Sequence, residues 1–125
     1  MIKKIILFLY LSFISLLSIM PPSDIPKIQV FPHFDKLVHM LFYAGLTFLL
    51  IWNLSKNKNK NKFWLILFFV FCCGLFMEII QGASNLGRTF DLLDVFSNVL
   101  GFFICLLILK LIFILRGERN YLIKI

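Results

Sequence analysis

Charge is the scarcest property of this chain. Asp, Glu, Lys and Arg together supply 15% of its 125 residues, and only six are acidic, against 61% hydrophobic residues that include sixteen Phe. So little polar material cannot cover the surface of a core this apolar, which excludes an ordinary soluble domain. Cysteine is sparse as well. Cys72, Cys73 and Cys105 lie inside apolar runs without metal-ligand spacing, so they read as small apolar fillers, and no disulfide is assigned. The four prolines (Pro21, Pro22, Pro26 and Pro32) are confined to one stretch, residues 21–33, which therefore cannot be helical.

What remains is long apolar runs. They define an all-α polytopic membrane protein of one domain, residues 1–125, with four transmembrane helices at about 5–20, 36–54, 63–81 and 93–115. Each is close to the ~17–25 residues that cross a ~30 Å hydrocarbon layer. The first run follows Lys3 and Lys4 and resembles a signal peptide, but it ends in Met20-Pro21-Pro22-Ser23-Asp24. That end lacks the small-x-small pattern of a cleavage site, so the run reads as a retained helix. Lys110, near the end of the fourth run, can snorkel.

The net charge of +7 is a topology signal. Its basic residues cluster at the ends of apolar runs, no basic helix carries interleaved aromatics, and no nucleic-acid partner is expected. The alternating Lys/Asn tract from Ser55 to Lys62 is a short solvated loop. Ten Lys and Arg precede the first span, lie in this tract or follow from Lys110 onward, whereas Lys27, Lys36 and Arg88 are the three elsewhere. Ten against three predicts N-in, C-in, with the proline stretch and the Asn85–Asp91 turn facing outward.

The polar residues within the apolar runs are ordered. Glu78, Gln81, Asn85 and Arg88 fall at spacings 0, 3, 7 and 10, and Asp91, Asp94, Asn98 and Gly101 repeat them. At ~100° per residue each set covers about 80° of a helix. Polar groups in hydrocarbon cost several kcal/mol unless partnered, so two matching stripes point to an intramembrane polar site. Asp35, Lys36, His39 and Tyr43 begin the second helix, and the topology brings all three groups to one outward-facing end. Asp35, His39 and Tyr43 share a face there.

Each residue has a candidate role. Glu78, the deepest carboxyl, and His39, the side chain that ordinarily titrates near neutral pH, are the candidate acid/base pair. Lys36 and Arg88 suit phosphate or carboxylate, while Asp35, Tyr43, Gln81, Asn85 and Asn98 fix orientation. Asp91 with Asp94 can hold a divalent cation; no other cofactor is expected. Plainer roles compete: Gln81 and Asn98 as interhelical hydrogen-bond glue, Arg88 paired with Asp91 or Asp94, both acids favouring a helix N-terminus, and Gly101 permitting close helix contact. No Ser or Cys nucleophile lies on the main stripe, so a covalent hydrolase is disfavoured and enzymatic activity stays open.

In their order, Asp35-Lys36-x-x-His39-x-x-x-Tyr43, then Glu78-x-x-Gln81, then Arg88-x-x-Asp91-x-x-Asp94-x-x-x-Asn98-x-x-Gly101 resemble the VanZ-like family of small bacterial membrane proteins. The resemblance covers about residues 34–105. One departure is Cys105, where the family often has a second glycine. The resemblance implies a multi-pass protein of the bacterial cytoplasmic (inner) membrane. Through the family's namesake, it also implies a link to low-level resistance to the glycopeptide antibiotic teicoplanin. The leading expectation is binding or processing of the headgroup of a membrane lipid or lipid-linked cell-wall precursor. The alternatives are an accessory subunit packed on a partner membrane protein and a small proton-coupled transporter.

Overall fold

The computed structural model describes residues 1–21, 33–55, 61–84 and 87–117. Four α-helices account for the regular structure among them: α1 (Ile2–Ile19), α2 (Phe34–Leu54), α3 (Lys62–Ala83) and α4 (Leu92–Leu115). Every expected helix is present, with no bound displaced by more than three residues. All four are long and apolar enough to cross a membrane.

Local chemistry sets the ends. Met20 leaves the helix for an extended conformation (φ −59°, ψ 131°), because a residue preceding proline is disfavoured in the helical region and Pro21 follows. At the start of α4, Asp91 is the N-cap, its side chain accepting the Leu93 N–H at 2.8 Å. Asp94 adds a negative charge to that first turn, where the helix dipole favours it.

The contacts between helix ends give an up-down-up-down order. Lys3 Nζ donates to the Trp52 carbonyl at 3.1 Å and Asn53 Nδ2 to the Lys3 carbonyl at 3.1 Å, so α1 begins where α2 ends. At the other pole Lys36 of α2 meets Asp94 of α4, and Gln81 of α3 meets Ser18 of α1. Between the poles all four helices supply the core: Ile14 from α1, Tyr43, Leu46 and Leu50 from α2, Ile66 and Val70 from α3, and Phe102 from α4. The outer faces expose large apolar side chains such as Phe8, Phe68, Phe76 and Leu107. In a membrane, lipid covers them.

The α2–α4 pair is the most extensive contact, and α2, the least hydropathic helix, is the one most shielded by the others. Gly101 explains the closeness. A Cβ there would overlap the Met40 carbonyl oxygen and the Ala44 nitrogen of α2, so main chain meets main chain. Small residues permit this kind of approach between membrane helices, where packing replaces the hydrophobic driving force. Gly101→Ala should lower the unfolding midpoint in detergent and cost about 1–3 kcal/mol, because backbone rather than a flexible side chain must yield. An unchanged midpoint would show that the two helices can separate freely.

Candidate functional site

The polar residues collect at the pole formed by the starts of α2 and α4 and the ends of α1 and α3. Lys36, in the first turn of α2, places Nζ 2.6 Å from Asp91 Oδ2, 2.9 Å from Asp94 Oδ1 and 3.5 Å from Asp35 Oδ2. Asp35 is exposed and its contact is loose. Asp94 is largely buried, so its bond to Lys36 offsets a real desolvation cost. Arg88, for which the sequence offered pairing with these acids as one of two roles, donates Nε to the Met20 carbonyl at 3.0 Å.

One turn inward from Lys36 lies His39, also buried. Its Nδ1 is 3.3 Å from Asn98 Oδ1 and 3.8 Å from Glu78 Oε1. Glu78 and Asn98 are fully buried. The other Glu78 oxygen, Oε2, accepts the Asp91 N–H at 3.3 Å. Glu78 Oε1 and Asn98 Nδ2 have no hydrogen-bond partner among the described residues. Among those residues, His39, Glu78 and Asp94 each place a possible metal-ligand atom within 4.8 Å of the others. Asp91, expected to share a cation with Asp94, is outside that group and serves Lys36 and the α4 cap.

The first stripe divides. Helix α3 ends at Ala83 and carries Glu78 and Gln81 of that set, and Arg88 sits in the connection to α4. Glu78 faces α2 and α4, whereas Gln81 Nε2 donates to the Ser18 carbonyl of α1 at 2.7 Å. Asn85 lies outside the described residues. Tyr43, one turn below His39, is buried in the apolar core beside Ile14 and Leu46 rather than in the polar cluster.

Two contributions were not anticipated. The carbonyls of Ser18 and Met20 receive Gln81 and Arg88, and the general rule that the last four carbonyls of a helix lack partners was the available signal. Gly74 was the other. A Cβ there would come within 2.7 Å of Asn98 Nδ2, so the small residue makes room for the amide.

A protein-family model described as VanZ/LLP1 matches residues 2–114. The chain belongs to the VanZ/LLP1 family. No curated protein and no solved structure matches it. The match runs from the first turn of α1 almost to the end of α4, well beyond the 34–105 region that carried the resemblance. In this VanZ/LLP1 chain, the family match therefore takes in α1 as well.

The Lys36 bonds hold the Asp91 carboxyl below the usual carboxylate range, with the Leu93 N–H assisting. A depressed folded-state value contributes stability that is present above the unfolded value of ~4 and lost as pH falls through the folded one. Lys36→Met should cost about 1–3 kcal/mol at neutral pH, since it leaves the buried Asp94 carboxylate without its cation. Thermal unfolding of both proteins from pH 7 to pH 3 should show the gap narrowing in acid. A gap independent of pH would deny the Lys36–carboxylate bonds their weight.

Proposed function

We propose that this chain receives the headgroup of a lipid or lipid-linked cell-wall precursor at the polar pole of its bundle. That pole faces outward from the bacterial cytoplasmic membrane, and both termini lie in the cytoplasm. The observation that carries the reading is the pair of buried polar atoms, Glu78 Oε1 and Asn98 Nδ2, that have no partner among the described residues. An unpaired buried polar atom costs several kcal/mol, and a polar ligand that reaches both removes the cost.

A second feature supports a lipid over a soluble ligand. An apolar groove between α3 and α4, about 520 Å³ in volume, is lined by Leu75 one turn inward from Glu78 and by Leu92, Val95 and Phe96 flanking Asp94. A hydrocarbon chain seated there has its polar end beside the cluster. Lys36 and Arg88 supply positive charge, although Lys36 shares its charge with two carboxylates. His39 and Glu78 are the groups placed to move a proton on a bound headgroup. Gln81 and Arg88, whose contacts run to α1, are engaged within this chain, which weakens the accessory-subunit reading.

Native mass spectrometry of protein released from gentle detergent should show a co-purifying lipid or lipid-linked species. The double variant Glu78→Gln/Arg88→Ala should lose it. Loss of a protein partner instead would convert the polar pole into an assembly surface. Topology is tested separately, in a background with Cys72, Cys73 and Cys105 replaced by Ala. A membrane-impermeant thiol reagent applied outside should label a Cys placed at Asn85 and spare one at Asn59; the reverse would turn the pole inward and remove the reading.

A further inference from the structure

Four carboxylates at one end of a membrane bundle repel an anionic headgroup, and that conflict bears on what else the cluster holds. We propose that His39, Glu78 and Asp94 bind one divalent transition-metal ion of the Mn²⁺–Zn²⁺ class, with the Asn98 amide oxygen as a fourth donor. The site stands on the cluster's own geometry; the headgroup reading supplies only a use for it.

The spacing fits. Metal–ligand distances of ~2.0–2.2 Å put neighbouring donors roughly 3–3.5 Å apart around one ion. His39 Nδ1 lies 3.3 Å from Asn98 Oδ1 and 3.8 Å from Glu78 Oε1. The possible ligand atoms of His39, Glu78 and Asp94 all fall within 4.8 Å of one another, and all three residues are buried. To close around one ion, the widest of these separations must shorten by about 1–2 Å.

An independent observation points the same way. Glu78 Oε1 is fully buried, lies against the His39 ring nitrogen and has no hydrogen bond among the described residues. A buried carboxylate oxygen without a donor is the group a cation completes. Charge agrees. Among the described residues of this pole, Asp35, Glu78, Asp91 and Asp94 face the cations Lys36 and Arg88, and the two negative charges left over when all four are ionised match a divalent ion. Lys36 engages Asp94 through Oδ1, and a carboxylate can serve two cations, one on each oxygen.

The donor chemistry selects the class of ion. One imidazole nitrogen among carboxylate and amide oxygens suits Mn²⁺, Fe²⁺ or Zn²⁺, whereas Mg²⁺ and Ca²⁺ favour all-oxygen shells. Asp91 lies outside the shell, and its bonds to Lys36 and to Glu78 Oε2 hold two neighbours of the ion in place. Such outer contacts commonly orient metal ligands. With the ion present, the excess negative charge would be cancelled and the cluster would no longer repel phosphate.

The test uses untagged, delipidated full-length protein in neutral detergent, dialysed against Mn²⁺ alone and Zn²⁺ alone, with bound metal quantified. One equivalent is expected. Affinity should fall roughly tenfold or more in Glu78→Gln and in Asp94→Asn, and His33→Gln, which alters the other histidine, should bind like wild type. Should the carboxylate variants fail to fold, pulsed electron paramagnetic resonance of the Mn²⁺-loaded wild type decides. Coupling to an imidazole nitrogen that disappears in His39→Gln supports the site; loaded protein without that coupling overturns it. Folded wild type that takes up neither ion stoichiometrically, or undiminished binding in Glu78→Gln, overturns it too. Metal uptake here, together with native mass spectra of the non-delipidated protein that show no bound lipid, would remove the headgroup reading and leave the ion site standing.

Discussion

Lys36 holds the polar pole together. Its ammonium bonds Asp91 and Asp94 and so joins the first turn of α2 to the first turn of α4. Asp91 carries the connection onward through three groups. One carboxylate oxygen takes Lys36, the other caps α4 through the Leu93 N–H, and its own N–H reaches Glu78 on α3. A single charge pair thus positions the start of one helix, the cap of a second and the deepest acid of a third. Glu78 and Asp94 are buried, so a partner lost at either leaves it with a desolvation cost that the partly exposed Asp91 does not carry.

Helix α1 contributes no charged side chain to this pole, yet it completes it. Pro21 forces Met20 out of helical geometry, and the terminal carbonyls of Ser18 and Met20 become acceptors for Gln81 and Arg88. The far pole is tied differently, by the Lys3 ammonium over the Trp52 ring at 4.8 Å and by Asn53 on the Lys3 carbonyl. Polar bonds at both ends and apolar contacts between them suit a bundle whose ends meet headgroups and whose waist meets acyl chains.

The helices were legible because apolar runs of spanning length are bounded by lysines or prolines, signals that need no knowledge of neighbours. That most of the polar residues gather at one pole was legible too, since each lies where a polar group is costly and needs a partner. Their pairing was not. Spacing placed Glu78 and Gln81 on one face, yet α4 and α1 approach that face from different sides and divide the two. Proximity in sequence offered Arg88 as one partner for Asp91 and Asp94, but a lysine more than fifty residues away takes both acids. Tyr43 shares a helical face with His39 but sits one turn deeper, where α1 and α2 close an apolar core. Those outcomes depend on how helices lean on one another, which periodicity does not encode.

The Gly101 contact bears on how such a pocket diversifies. Main chain touches main chain where α2 and α4 meet, so trimming side chains around that point cannot bring the two helices closer. The wall carrying Lys36, His39, Asp94 and Asn98 is therefore a fixed template. Adaptation to a larger or smaller ligand falls to α3, whose approach to α4 is spaced by side chains, with Gly74 set against Asn98. Gly74→Ala or Gly74→Ser is a one-step change that re-aims the Asn98 amide while the opposite wall keeps its shape. On the proposed headgroup reading, ligand range in this scaffold would drift along one helix, leaving the charge template as the inherited part.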